Sequence, residues 1–231
     1  MSGFILSNAR WPEVEAGPRR LLVVPLGSLE QHGPHLPMDT DTRIACFVAA
    51  RACGGRAGVG LAPPVAIGAS GEHADFPGTL SIGTDALALV LVELGRHASL
   101  HWPAMLLVNG HGGNGPAIAD AVARLRDEGR KCHVWHAGLD PGAGDAHAGR
   151  TETSLMLALA PSEVLLDRAV AGDTRPIAEL LPELRAHGVR KVSPNGVLGD
   201  PAGASATEGT RLLDLLVANL SETLDSLLAN A

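Results

Sequence analysis

The sequence predicts an α/β fold with a largely parallel sheet, and three observations predict it. Apolar runs of strand length alternate with segments of helical periodicity from residue 21 to the end of the chain. Two of those runs, LLVVP at 21–25 and the AMLLV that opens AMLLVNG at 104–110, are continuously apolar, as strands buried on both faces are. Polar, glycine-bearing loops at 27–41, 109–115 and 138–152 then follow strands, where open α/β sheets keep their chemistry.

In chain order, residues 1–18 read as an irregular lead-in, with Trp11 expected to pack on the domain. The strand at 21–25 ends at Gly27, and Thr40 or Thr42 can cap a helix over about 40–53 that stops in GGRAGVG. VGLAPPVAI at 59–67 is a second strand, made irregular or an edge by its double proline. After a long loop carrying Glu72, His73 and Asp75, a helix runs across about 85–100. The strand 104–110 leads through HGGNG to a helix with Pro116 in its first turn and Gly129 past its end. CHVWHAG is a fourth strand, and ETSLMLALA a helix. Residues 161–208 are the least regular, with a short amphipathic segment at 176–187; a last amphipathic helix covers about 209–230. No repeat or linker interrupts the pattern, so residues 1–231 are expected to form one domain.

Composition narrows the function classes. A net charge of −7 and the absence of any basic run argue against a nucleic-acid partner. No stretch has the length of a membrane span and the N-terminus lacks a signal pattern, so no membrane partner is expected. Cys46, Cys53 and Cys132 are odd in number and form no metal-type pair, which fits buried, reduced thiols and a cytoplasmic setting.

The stretch LLVVPLGSLEQHGPHLPMDTDT gathers Glu30, His32, His35, Asp39 and Asp41 in one loop and the helix start after it. A divalent cation would draw such side chains together. Glu30 and His32 are two apart and point the same way in an extended segment. Asp41 suits a helix N-terminus. His111 stands among glycines in NGHGGN, and parallel strands bring its loop to the same sheet edge as Glu30. His147 and Glu152 lie in DAHAGRTETS; for Glu152 the local pattern leaves ligation and a dipole-favoured early-helix acid equally open. The oxygen–nitrogen set suits Zn, Mn or Fe(II) rather than Ca. Three carboxylates and two histidines exceed one tetrahedral ion's needs, and a bridging aspartate would allow two ions about 3.5–4 Å apart. Such a pair generates a hydroxide nucleophile, so hydrolysis at an amide-type carbon is expected. No nucleophile elbow, Walker loop or dinucleotide fingerprint competes.

PLGSLEQHGPHLPMDTDT, GEHADFPGTLSIG, NGHGGN, HAGRTETSLMLAL and GVLGDPAGASATEG, together spanning about residues 20–209, resemble the creatininase family of metal-dependent amidohydrolases. The resemblance implies a single-domain, three-layer α/β/α sandwich, two divalent ions per chain and a homo-oligomer, a hexamer or larger ring. Carried over by residue, it gives Glu30 and His111 to one ion, His32 to the other, Asp41 as the bridge and His147 as the catalytic histidine. Creatininase itself reads H-x-E-N after the ligand histidine, and that glutamate binds metal. Here Gly113 stands in its place, and Glu152 in the ETS motif is the natural substitute. The loop before His147 also lacks the tryptophan that closes over creatinine. DAHAGRTETS, AGDTRPIAELLPELRAHGV and SPNGVLGDP are similar to the family's peptidase branch in mycofactocin biosynthesis, which removes a C-terminal Val-Tyr dipeptide from a modified precursor peptide. Arg150, beside His147, is the candidate to bind that peptide's terminal carboxylate. The residues themselves reach only an amide-like bond. They leave open a small-molecule amidohydrolase acting on a cyclic amide or formamide, and a metal-binding protein without turnover.

Overall fold

The computed structural model describes residues 3–138 and 145–229. Strands β1 (Phe4–Ile5), β2 (Leu21–Leu26), β3 (Val59–Leu61), β4 (Met105–Asn109) and β5 (Cys132–His136) form one sheet in the order β1-β3-β2-β4-β5, with every pairing parallel. Between and after them lie α1 (Trp11–Ala16), α2 (Thr40–Cys53), α3 (Thr84–Ala98), α4 (Gly115–Asp127), α5 (Arg150–Leu159), α6 (Ile177–His187), α7 (Val189–Val192) and α8 (Ala206–Ala229).

Three layers result from the alternation of side chains along the strands. Leu21, Val23, Leu106 and Val108 face one way, onto Ile44 and Val48 of α2, Leu155 and Met156 of α5, and Leu213, Leu216 and Leu220 of α8. Leu22, Val24, Leu26, Met105 and Leu107 face the other way, onto Leu87 and Leu91 of α3 and Ile118 and Leu125 of α4. With helices on both faces, β2 and β4 are buried throughout, which explains their unbroken apolar runs. No described helix is long and apolar enough to cross a membrane.

The chain steps from β2 outward to β3, then crosses to the other side of β2 to make β4. Strand order therefore reverses at β2 and β4, and the crevice beyond their carboxyl ends is the switch point where α/β sheets bind ligands. The loops holding Glu30, His32 and His111 leave from those two ends.

Several sequence expectations are corrected. The lead-in is not irregular: it carries β1 and α1, and Trp11 is exposed rather than packed. The second strand stops at Leu61 because Pro63 and Pro64 have no amide to donate; it lies between β1 and β2, not at the edge. Val65 rejoins β2 in a parallel bridge to Leu26: its amide donates to the Pro25 carbonyl and its carbonyl accepts from the Gly27 amide. Neither threonine caps α2. Asp39 is the N-cap residue, the Thr40 hydroxyl donates to the Pro37 carbonyl, and the Thr42 hydroxyl donates to the Ser28 carbonyl.

Candidate metal centre

Asp41 lies at the centre of the polar cluster. It sits in the first turn of α2 and is buried. A Cβ on Gly110 would stand 2.6 Å from the Asp41 carbonyl oxygen, so only glycine lets the end of β4 come so near α2. The two oxygens of Asp41 face opposite neighbours. Oδ1 is 3.1 Å from His32 Nε2; Oδ2 is 3.1 Å from His111 Nδ1 and accepts a 2.8 Å hydrogen bond from the Ser28 hydroxyl. Two groups able to hold an ion meet at this carboxylate: Glu30, Asp41 and His111, and His32, Asp41 and Glu152. A third group joins Glu30, His32 and His147.

His32, His111 and His147 are each held by a backbone carbonyl on one side of the ring, as metal ligands usually are. His32 Nδ1 lies 3.1 Å from the Glu30 carbonyl oxygen, and a proton donated there leaves Nε2 to face Asp41 and Glu152. His111 Nε2 is 3.1 Å from the Ala69 carbonyl oxygen, leaving Nδ1 for Asp41. His147 Nε2 is 2.8 Å from the Gln31 carbonyl oxygen, so its Nδ1 turns toward Glu30 Oε1 at 3.9 Å.

Glu30 is fully buried, and neither carboxylate oxygen has a hydrogen-bond partner among the described residues. The nearest charged neighbour is His111, whose Nε2 stands 3.1 Å from Oε2; a buried carboxylate without a hydrogen bond is costly, and a cation in front of it removes the cost. The charges tell the same story. Burial raises Glu30 and Glu152 to about 7, against the pull of His111 and His32 respectively. Burial would raise Asp41 and lower His32, but their mutual attraction wins: Asp41 falls well below the usual carboxylate range and His32 rises to about 10. Protons thus occupy positions between carboxylates and imidazoles that a divalent ion can take. His147 differs: burial, then the neighbouring His32 and His73, push it well below its ordinary value, so it is neutral. The residues present fit a pair of divalent ions.

Of the five polar residues in the first loop and helix start, three converge. His35 is buried but bonds Thr153 Oγ1 at 2.9 Å, and Asp39 pairs with Arg43 at the surface. Glu152, left open by the sequence, lies in the first turn of α5 with Oε2 3.9 Å from His32 Nε2, where it also accepts a 2.6 Å bond from the Ala148 amide. Arg150 is not brought to the cluster: its guanidinium is exposed and pairs with Glu208 at 2.8 Å. In the glycine-rich loop 138–149, residues 139–144 lie outside the described residues.

Sequence reasoning assigned no role to three neighbours. Gln31 donates from its amide nitrogen to the Gly196 carbonyl (3.0 Å) and to His73 Nδ1 (2.9 Å). His73 has Nε2 3.4 Å from Glu30 Oε1 and its ring 4.6 Å from that of His147; burial lowers it to about 4. Glu72 Oε1 is 3.5 Å from His111 Nε2 and 2.4 Å from where a Cβ on Gly113 would be. Glycine at 113 therefore leaves the space that Glu72 fills. The adjacent Glu-His pair in a loop after a strand was the available signal.

A cavity of about 630 Å³ opens over the cluster, which is a usual size for a small-ligand site. Glu30, Asp41, His111, His147 and Glu152 line its polar floor; Ile177, Leu181 and Leu184 of α6 make an apolar wall.

Comparison with known proteins places this geometry. A family model described as creatininase, creatinine amidohydrolase, matches residues 7–224. The chain is 55% identical over 203 residues to a mycofactocin precursor peptide peptidase of Mycolicibacterium smegmatis (strain ATCC 700084 / mc(2)155), covering 85% of this chain and 81% of that protein. Among solved structures, a tryptophan-to-alanine variant of creatininase superposes with a TM-score of 0.82 at 28% identity, covering 98% of this chain and 99% of that one. A glutamate-to-glutamine variant of creatininase, described as Zn-Zn type, gives 0.76 at 26% identity over 98% of both chains.

Proposed function

The chain belongs to the creatininase family, and from that premise we propose that it is a metal-dependent peptidase that releases a C-terminal Val-Tyr dipeptide from a modified ribosomal precursor peptide in mycofactocin biosynthesis. The observation that carries this reading is the 55% identity to a precursor peptide peptidase over 85% of the chain. The cavity supports it, because an apolar wall beside the polar floor gives such a dipeptide a surface to lie on.

Glu30, Asp41 and His111 would hold one ion, and His32, Asp41 and Glu152 the second, with Asp41 shared. Zn, Mn or Fe(II) suits this donor set, and the Zn-Zn creatininase structure supports two ions per chain. When bound, the ions supply a water activated near neutral pH and polarise the scissile carbonyl. The chain's own proton carrier is His147. Its Nε2–H is committed to the Gln31 carbonyl, so Nδ1 takes the proton from water and returns it to the leaving amide nitrogen as the C–N bond breaks. The carbonyl carbon keeps the hydroxyl. Because His147 is neutral at pH 7, it starts the cycle as a base.

Exposed Leu89, Val90 and Leu94 on α3 support burial against another copy, and we place the chain in a homo-oligomer, a hexamer or larger ring. Unpaired Cys46, Cys53 and Cys132 support a cytoplasmic setting. The test is to incubate metal-loaded protein with the precursor peptide and weigh the products. A mass loss equal to one Val-Tyr unit, abolished by chelator, is expected. Hydrolysis of creatinine or a formamide with no action on the peptide would overturn the reading.

A further inference from the structure

A peptidase that counts residues from the C-terminus needs a group that recognises the terminal carboxylate. The floor of the cavity offers the opposite sign: Glu30, Asp41, Glu72 and Glu152 all line it. Among the described residues that line the cavity, only one is an arginine or lysine, namely Arg185 of α6.

Arg185 is also uncommitted. Arg150 pairs with Glu208; Arg175 pairs with Asp173 and Glu183; Arg43 pairs with Asp39 and Glu163; Arg190 donates to the Asp75 carbonyl and lies over the Phe76 ring. Arg185 has no hydrogen bond or ion pair with any described residue. Its place on α6 gives this meaning. Ile177, Leu181 and Arg185 recur at four-residue spacing, share one face of the helix, and all three line the cavity. The face thus reads apolar, apolar, cation. From Leu181 to Arg185 the helix rises about 6 Å, and two extended residues span about 7 Å. A dipeptide lying along this stretch of α6 with one side chain on Leu181 would bring its carboxylate to the guanidinium, while the other side chain points away from the helix.

We propose that Arg185 is the specificity-determining residue that binds the C-terminal carboxylate of the substrate, and so fixes cleavage two residues from the end. The planar guanidinium can pair with a carboxylate through two parallel N–H···O bonds. The proposal rests on the peptidase reading, and its experiment separates the two.

Precursor peptides ending in a free carboxylate and in an amide are compared on metal-loaded wild type, Arg185→Ala and Arg185→Lys, with metal content and helical circular dichroism checked for each. The wild type should prefer the free acid by roughly 10- to 100-fold in kcat/KM, the range of a charge-assisted hydrogen bond. In Arg185→Ala the preference should vanish, with the loss on the free acid carried by KM rather than kcat. Arg185→Lys, a point charge without the fork, should restore part of it. A wild type that cleaves both peptides equally, or an Arg185→Ala variant that keeps the full preference, overturns the anchor and leaves the peptidase reading standing. A wild type that releases no dipeptide from the free acid overturns both.

Discussion

Gly112 and Gly113 are adjacent, yet alanine at the two positions should give opposite results. A Cβ on Gly112 meets nothing within 4 Å. On Gly113 it would lie 2.3 Å from His111 Nε2, 2.4 Å from Glu72 Oε1 and 2.5 Å from the Ala69 carbonyl oxygen. Real Cβ atoms essentially never come within 3.0 Å of a neighbour, so the His111 ring must retreat by about 0.7 Å. Glu72, a partly exposed side chain, can swing away, but the Ala69 backbone cannot easily, so the strain falls on the ring. The ring would lose its bond to Ala69 and its aim at Asp41 together. A displacement near 1 Å can cost on the order of 10²-fold in turnover, and overpacking costs about 1–3 kcal/mol of stability. Gly113→Ala should therefore bind the ion at the His111 group more weakly, with activity reduced up to a hundredfold, while Gly112→Ala matches the wild type. The assays are metal content after dialysis and dipeptide release by mass spectrometry. A Gly113→Ala protein with wild-type metal content and turnover would refute the placement of His111.

Three further outcomes follow from the same geometry. His147→Ala should keep its metal and lose roughly 10²–10⁴-fold in kcat; metal content falling in step with activity would instead make His147 a ligand. Gly209→Ala should destabilise the fold by more than the 1–3 kcal/mol of ordinary overpacking, because its Cβ would lie 1.8 Å from the Ser154 carbonyl oxygen where α8 crosses α5; an unchanged Tm would contradict that approach. Metal uptake should release protons, since Glu30 and Glu152 near 7 and His32 near 10 hold protons that the ions displace. The ion-free state carries those protons and the loaded state does not, so affinity must rise with pH, on the order of tenfold per unit for each proton displaced. Flat affinity between pH 6 and 8 would rule this out.

Much of the fold is legible in the sequence for one physical reason. β2 and β4 are buried on both faces, so nothing polar interrupts them, and chain order then brings their loops to one edge. β1 is illegible because two residues, Phe4 and Ile5, gain strand geometry only by pairing with Gly60 and Leu61. Glu30, His32, Asp41 and His111 are readable as a cluster because each follows β2 or β4 directly. Glu72 and His73 are not, since their position depends on the loop after β3 folding back over Gly113. Arg150 shows where adjacency misleads. Residues two apart on a helix do not share a face, so the turn that aims Glu152 inward aims Arg150 outward, onto Glu208. Arg185, in the segment with the least regular pattern, reaches the cavity only through the docking of α6.

The arrangement of two ion groups sharing one carboxylate is tested most directly by counting ions. Metal content per chain, measured by mass spectrometry, should be close to two in the wild type and one in Glu152→Ala, and lowest in Asp41→Ala, because Glu152 belongs to one of the two groups that meet at Asp41 and Asp41 to both. One ion in the wild type, or a full complement in Asp41→Ala, would contradict the shared-carboxylate site.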